Sequence, residues 1–200
     1  MVRKAYSAGM VKLSFWFSDF KKTIHLINSG MTLEQIKEKN LEENIYSSPT
    51  ENRSIQTFNT VSTRIKSIDS SFYKLFEELD ITNQKVIALI AVMESDSLFF
   101  DFMYEVYREK LIMGVDEITD SDVSIFFKDK QLQDDRAAKW KDYTLKRLGL
   151  VYRTILAEAG VIDRTTGARK ILKPIIDESL ERALVDNNMK STLKALTGVR

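Results

Sequence analysis

Apolar side chains recur along this chain mostly at spacings of three and four, the period of helices packed on one face. The pattern predicts a first helix from about Val11 to Asn28, ended by Ser29-Gly30. Thr32-Leu33-Glu34-Gln35 has the form of a capping box and opens a second helix to about Asn44. YSSPT (46–50) reads as a turn, because Pro49 disfavours helix at Ser48. Ile55, Phe58, Val61, Ile65 and Ile68 then mark a third helix, and Asp69-Ser70-Ser71 restarts the chain as SFYKLFEEL.

From Thr82 the pattern changes. KVIALIAVMES is apolar on most faces, and DSLFFDFMYEVYREKLIM follows it directly or after a kink near Ser95–Ser97. Helices apolar all round belong at the centre of a fold. Gly114 ends this pair, and ITDSDVSIFFKDK (118–130) opens a further helix with Thr119 or Asp120 as its N-cap. A long helix is predicted from about Asp134 to Ala159, stopped by Gly160. Val161-Ile162 and Ile171-Leu172, around a turn with Gly167, read as a small β-hairpin. A last helix is predicted from Pro174, and the tail after Asn187 is expected to fray.

The fold class is therefore mainly α. It comprises an N-terminal three-helix, helix-turn-helix-like unit (1–73), central apolar helices (74–117), a winged-helix-like unit with one short hairpin (118–187) and a flexible tail (188–200).

Composition narrows the chemistry. No cysteine is present, so disulfides, thiolate metal sites and cysteine nucleophiles are excluded. The one histidine, His25, argues against a histidine metal site or catalytic triad and is expected as a partly buried structural residue. No P-loop, dinucleotide fingerprint, nucleophile elbow or zinc-protease motif occurs. Neither an enzyme nor a cofactor is expected. The basic-then-apolar start, MVRKAYSAGMVKLSFWF, is broken by Lys12, Ser14, Ser18 and Asp19, and no apolar run reaches the roughly 20 residues of a membrane span. A cytoplasmic protein without membrane contact is expected.

Net charge is only +1, but it is polarised. Residues 74–135 carry 6 basic and 15 acidic side chains, whereas 136–173 carry 10 basic and 3 acidic. On a helical wheel for 134–160, Leu145, Leu148, Tyr152, Ile155, Leu156 and Ala159 share the core face. Lys139, Lys146 and Arg153 recur every seven residues beside it, with Arg136, Tyr143 and Arg147 further outward. Such a face suits contact with phosphates. The order of short helix, turn, long helix and hairpin is that of a winged helix-turn-helix, with Arg164, Arg169 and Lys170 on the wing. A second candidate is the helix after YSSPT, with Arg53, Gln56, Asn59, Thr60 and Arg64 on its exposed face, although Glu42, Glu43 and Glu51 sit near that turn. The plainer alternatives are, for the first, a solvated basic face that pairs with the acidic middle of the same protein or of a neighbour, and, for the second, a helical hairpin. Phe15, Trp16, Phe17 and Phe20, like Phe99, Phe100, Phe102, Met103, Tyr104 and Tyr107, are expected in the core. Asp96 with Asp101, or Glu105 with Glu109, are expected as solvated carboxylates rather than an acid pair or Mg²⁺ site.

The segments AYSAGM (5–10), NRSIQTFNTVSTRI (52–65), QKVIALIAVMESDSLFFDFMYEVYREK (84–110), DSDVSIFF (120–127) and TLKRLGLVYRTILAEAGVID (144–163) leading to LKP occur in an order and spacing that resembles the BrxA family of bacterial BREX phage-defence systems. The family was formerly described as a putative inner-membrane protein family. The resemblance implies a helical, winged-helix-containing protein, likened to the antitermination factor NusB, that binds double-stranded DNA. It also implies a place in a multi-gene defence cluster beside a methyltransferase and ATPases. Protein–protein docking within that cluster and NusB-like RNA binding are the alternatives it leaves open.

Overall fold

The computed structural model describes residues 5–164 and 167–199. It is mainly helical, as the periodicity predicts, with one two-stranded sheet. The first helix is shorter than its pattern. Gly9–Lys12 is a 3₁₀ turn, the chain then extends, and Trp16 takes a left-handed φ of 51° before α1 (Phe17–Asn28) begins. An extended strap lets Phe15 reach the core while its carbonyl meets a donor from elsewhere in the fold. α2 (Leu33–Glu43) starts on the predicted capping box, in which Thr32 N–H donates to Gln35 Oε1 at 2.8 Å and Gln35 N–H to Thr32 Oγ1 at 3.2 Å. Thr50 caps α3 (Glu51–Ile65), and α4 (Ser71–Glu78) follows.

α5 (Ile81–Ser95) is the central rod, buried from Val86 to Met93 without interruption and packed against α1, α3 and α4. The expected kink falls at Asp96, whose extended backbone and capping carboxylate start α6 (Ser97–Phe102). A π-helical turn, Met103–Tyr107, joins it to α7 (Arg108–Met113). A short strand that the sequence pattern did not indicate, β1 (Glu117–Ile118), precedes α8 (Asp120–Gln133), which Thr119 caps.

The long helix expected from Asp134 is two elements. The Asp134 carboxylate accepts the N–H groups of Arg136 and Ala137, turning the chain into a 3₁₀ turn at Ala137–Lys139 before α9 (Asp142–Ala159). Lys139 is thus off the helix that carries Lys146 and Arg153, and the seven-residue stripe is broken. β2 (Arg169–Lys170) pairs antiparallel with β1, Glu117 opposite Lys170, and Ile162 bridges Ile171. The expected hairpin therefore gains a third segment from upstream. Thr165 and Thr166, within the expected turn, lie outside the described residues, while Gly167 has the positive φ, 86°, that suits glycine in a tight turn. α10 starts at Glu178 rather than Pro174 and runs to Asp186. The expected frayed tail forms α11 (Lys190–Thr197), because Thr192, Ala195 and Leu196 share a face that is buried against the π-turn and α7.

One core cluster runs from Met10 to Leu196, and a smaller one of Ile36, Ile45, Tyr46 and Phe58 lies under α2 and α3. α9 enters the main core through Leu145, Leu148, Tyr152, Ile155, Leu156 and Ala159, the face read from the wheel. Tyr152 meets Phe99, Phe102 and Phe127 at centroid distances of 4.9, 5.4 and 5.6 Å. α8 and α9 approach closely at Gly149, where an added Cβ would lie 2.6 Å from Val123 Cγ1. Gly149→Ala is accordingly expected to cost about 1–3 kcal/mol of stability through overpacking. Val123→Ala in the same chain should recover part of that loss. Urea unfolding of the single and double variants checks this, and additive losses would show that the contact is not the cause.

Candidate nucleic-acid interface

The two candidate faces meet. The 3₁₀ turn at Gly9–Lys12 lies against α9, and Lys12 and Val11 of this turn, Arg53 and Gln56 of α3, and Tyr143, Thr144 and Arg147 of α9 line one cleft of about 530 Å³. No lining residue is acidic. Arg147 Nε donates to the Val11 carbonyl at 3.4 Å. Arg53 Nη1 donates to Gln56 Oε1 at 2.8 Å, and its guanidinium lies 4.7 Å from the Trp16 ring centroid. That stacking fixes the plane of the guanidinium while leaving its charge unneutralised. Among the described residues, Lys12, Arg53, Lys146 and Arg147 make no ion pair. Tyr143, in the first turn of α9, is 77% exposed at the mouth. Lys139, in its separate 3₁₀ turn, and Lys146 are also exposed.

Other predicted residues serve the fold. Arg64 is not on an exposed face of α3. It is 2% exposed, its Nη1 donates to the Phe15 carbonyl at 2.7 Å, and it lies 5.8 Å from the Trp16 ring centroid. Burial lowers its pKa to about 10, against the opposing charge of Asp96. Arg153 is mostly buried and ion-paired to Asp120 at the start of α8. Burial, then the nearby charge of Arg169, lowers its pKa. On the wing, Arg169 is half-buried on β2 and donates to the Asp163 carbonyl at 3.5 Å, while Arg164 and Lys170 are exposed. Arg153 and Arg169, expected on the basic stripe and the wing, are turned inward by partners from α8 and the strand connection.

Three further expectations are corrected. His25 has a 73% exposed side chain, with Nδ1 3.3 Å from Glu77 Oε1. Asp101 is buried, not solvated: Tyr6 donates its hydroxyl to Asp101 Oδ2 at 2.5 Å, and Lys130 Nζ lies 3.5 Å from the same oxygen and 2.6 Å from Glu105 Oε1. Burial opposes the charge of Lys130, but Glu105 and Asp101 raise its pKa overall. Asp96 spends its carboxylate on the α6 N-terminus. No group of three or more His, Cys, Asp or Glu side chains able to hold a metal occurs among the described residues. Among them, too, no helix is long and apolar enough to cross a membrane.

Lys12 is the contributor that sequence reasoning missed. In one dimension it only interrupts an apolar run; its partners in the cleft lie about 40 and 130 positions away, at separations no local period encodes.

A helical scaffold with a basic cleft, free of carboxylates among its lining residues, where the Gly9–Lys12 turn, α3 and α9 come together carries a candidate anion-binding site. Its family is shown by comparison: the BrxA family model matches residues 4–188, and the chain belongs to the BrxA family. The BREX protein BrxA of Bacillus cereus (strain H3081.97) is 36% identical over 174 residues, 87% of each chain. The crystal structure of an uncharacterized protein from Magnetospirillum magneticum shares the fold, with a TM-score of 0.82 at 16% identity, covering 98% of this chain and all of that one.

The division between buried and exposed cations is testable. Arg64→Ala leaves the buried Phe15 carbonyl without its donor and is expected to cost about 1–3 kcal/mol of stability. Lys146→Ala, on the surface, should stay within about 0.5 kcal/mol. Denaturant unfolding followed by circular dichroism measures both, and equal losses would overturn the assignment of Arg64 to the fold.

Proposed function

We propose that this chain is a non-enzymatic component of a BREX phage-defence system and binds double-stranded DNA. The defence role rests on its family and on the name of its 36%-identical relative. DNA binding rests chiefly on one observation: Lys12, Arg53 and Arg147, three cations from three elements, converge without a carboxylate among the cleft-lining residues. Uncompensated cations held together cost electrostatic repulsion, which a polyanion relieves. Lys139 and Lys146 extend the basic surface along the start of α9.

Element order supports a winged helix-turn-helix reading. β1, α8, α9, the segment at Ile162 and β2 follow one another as strand, helix, helix, strand and strand, with β1 beside β2. In such modules the N-terminal turns of the second helix enter the major groove. Here those turns present Tyr143, Lys146 and Arg147, while the rest of α9 packs into the core. Arg164 and Lys170 on the wing are placed to reach an adjacent phosphate. Arg53 joins the same surface; Arg64 and Arg153 act by holding its parts.

A second reading, docking to other BREX proteins, is favoured by a neighbouring groove. It lies between α8 and α9, has a volume of about 550 Å³, and is lined by the apolar Val123, Phe127, Leu145 and Leu150 together with charged residues that include Asp120, Asp142 and Lys146, the last shared with the basic surface. Ile125 and Leu132 of α8 are 57% and 87% exposed.

Fluorescence anisotropy of a labelled duplex at two salt concentrations tests the first reading. Wild type should bind more weakly as salt rises. The Lys146→Glu, Arg147→Glu double variant should lose about tenfold or more in affinity, and its slope of log K on log salt should fall by about one per lost phosphate contact. A variant that binds like wild type would remove the α9 surface from the interface. Wild type that ignores the duplex at low salt, or prefers structured RNA in competition, would sink the duplex-DNA reading.

A further inference from the structure

A duplex presents its phosphates on the outside of a stiff rod and meets only the mouth of the cleft that carries the DNA-binding reading. Seven residues from three elements line this open concavity of about 530 Å³. That volume lies in the range of small-ligand sites, about 300–1,000 Å³. A concavity of that size is on the scale of a single nucleotide rather than of a duplex.

Its chemistry points the same way. Lys12, Arg53 and Arg147 supply the positive charge for one or two phosphates. Gln56 uses its Oε1 on Arg53, which leaves its amide N–H groups directed by no other bond among the described residues. Tyr143 stands at the mouth, 77% exposed, and makes no hydrogen bond and no ring contact among the described residues. A largely exposed aromatic at the rim of a basic cleft, with no other ring or cation against it among the described residues, is an arrangement that can stack an unpaired base. A side chain serving only the phosphates of a paired duplex would not need a ring.

We propose that the cleft between the N-terminal strap, α3 and α9 takes one unpaired nucleotide of a DNA strand, its base stacked on Tyr143 and its phosphates on Lys12, Arg53 and Arg147. The inference rests on the DNA-binding reading and deepens it. The preferred substrate becomes duplex DNA with a single-stranded junction or an extruded base, as at a frayed or nicked end. The flanking duplex lies along the α9 surface, and unstacking is least costly where a base is already unpaired.

The test compares two probes of the same sequence by anisotropy at fixed salt: a blunt duplex, and that duplex carrying a short single-stranded overhang. A 2-aminopurine at the first unpaired position of the overhang reports stacking by loss of its fluorescence. Wild type should prefer the overhang probe by about fivefold or more, the lower range for stacking one base on an aromatic ring, and should quench the 2-aminopurine. Tyr143→Ala should bring the ratio of the two affinities close to one and abolish the quenching. Tyr143→Phe, which keeps the ring, should retain both. Equal binding of the two probes by wild type, or a preference and quenching that survive Tyr143→Ala, overturns the proposal while the DNA-binding reading stands. Absence of binding to either probe removes both. Tyr143 is exposed, so each variant is expected to fold, and circular dichroism confirms that before binding is compared.

Discussion

The basic cleft depends on a guanidinium that never touches it. Arg64 sits inside the protein and donates to the Phe15 carbonyl, so the strap ahead of α1 is tied to α3 at that point. Burying a cation is unfavourable unless hydrogen bonds and a counter-charge compensate. Asp96 supplies the charge and the strap supplies the acceptor, yet one nitrogen, Nη2, has no hydrogen-bond partner. The left-handed Trp16 beside it is a second local cost, since a bulky side chain at φ 51° is disfavoured. Both are offset by what they allow. With the strap fixed, Trp16 presents its ring to Arg53, the 3₁₀ turn packs on α9, and Lys12 arrives beside Arg53 and Arg147.

The charge polarity of the sequence takes on a physical meaning in this arrangement. Much of the acidic middle is consumed within the fold. Asp101 and Glu105 meet Lys130, Asp122 meets Lys110, and Asp120 meets Arg153. A basic face neutralised by the chain's own acids was one alternative for residues 139–170, and for Arg153 it is the correct description. It fails for Lys139, Lys146 and Arg147, which no acidic side chain pairs among the described residues. The distinction is one of position on α9. Arg153 lies deep enough to face the start of α8, whereas Lys146 and Arg147 sit two turns nearer the N-terminus and face outward.

The parts legible in the sequence were those that local chemistry determines. The capping box at Thr32, the cap at Thr119, the buried face of α9 and the all-round burial of α5 follow from side chains within a few turns of one another. What the pattern misjudged was decided by distant partners. The first helix loses its opening turn because Phe15 and Arg64 must meet across 49 residues. α11 forms in a stretch of weak pattern because α7 and the π-turn offer it an apolar surface. β1 is two residues long, too short to show a period, and exists only because β2 returns beside it. The cleft follows the same rule. Arg53 and Arg147 were each legible as exposed cations, but on separate candidate surfaces, and Lys12 was not legible at all.

That merger changes what the helix-turn-helix comparison implies. In a free-standing module the recognition helix is convex and reads a groove alone. Here α9 is flanked by a strap and by α3, so its first turns form one wall of a concavity as well as a ridge. On the proposed DNA-binding reading, the ridge and the concavity divide the work: paired phosphates along the outside, and a unit released from pairing within. Gly149 keeps the far side of α9 tight against α8. The cleft side carries Tyr143, Thr144 and Arg147 beside Lys12 and Arg53, whereas Lys146 lies on the groove toward α8. The packing of the central bundle, rather than any one helix, brings three elements from distant parts of the chain to one cleft.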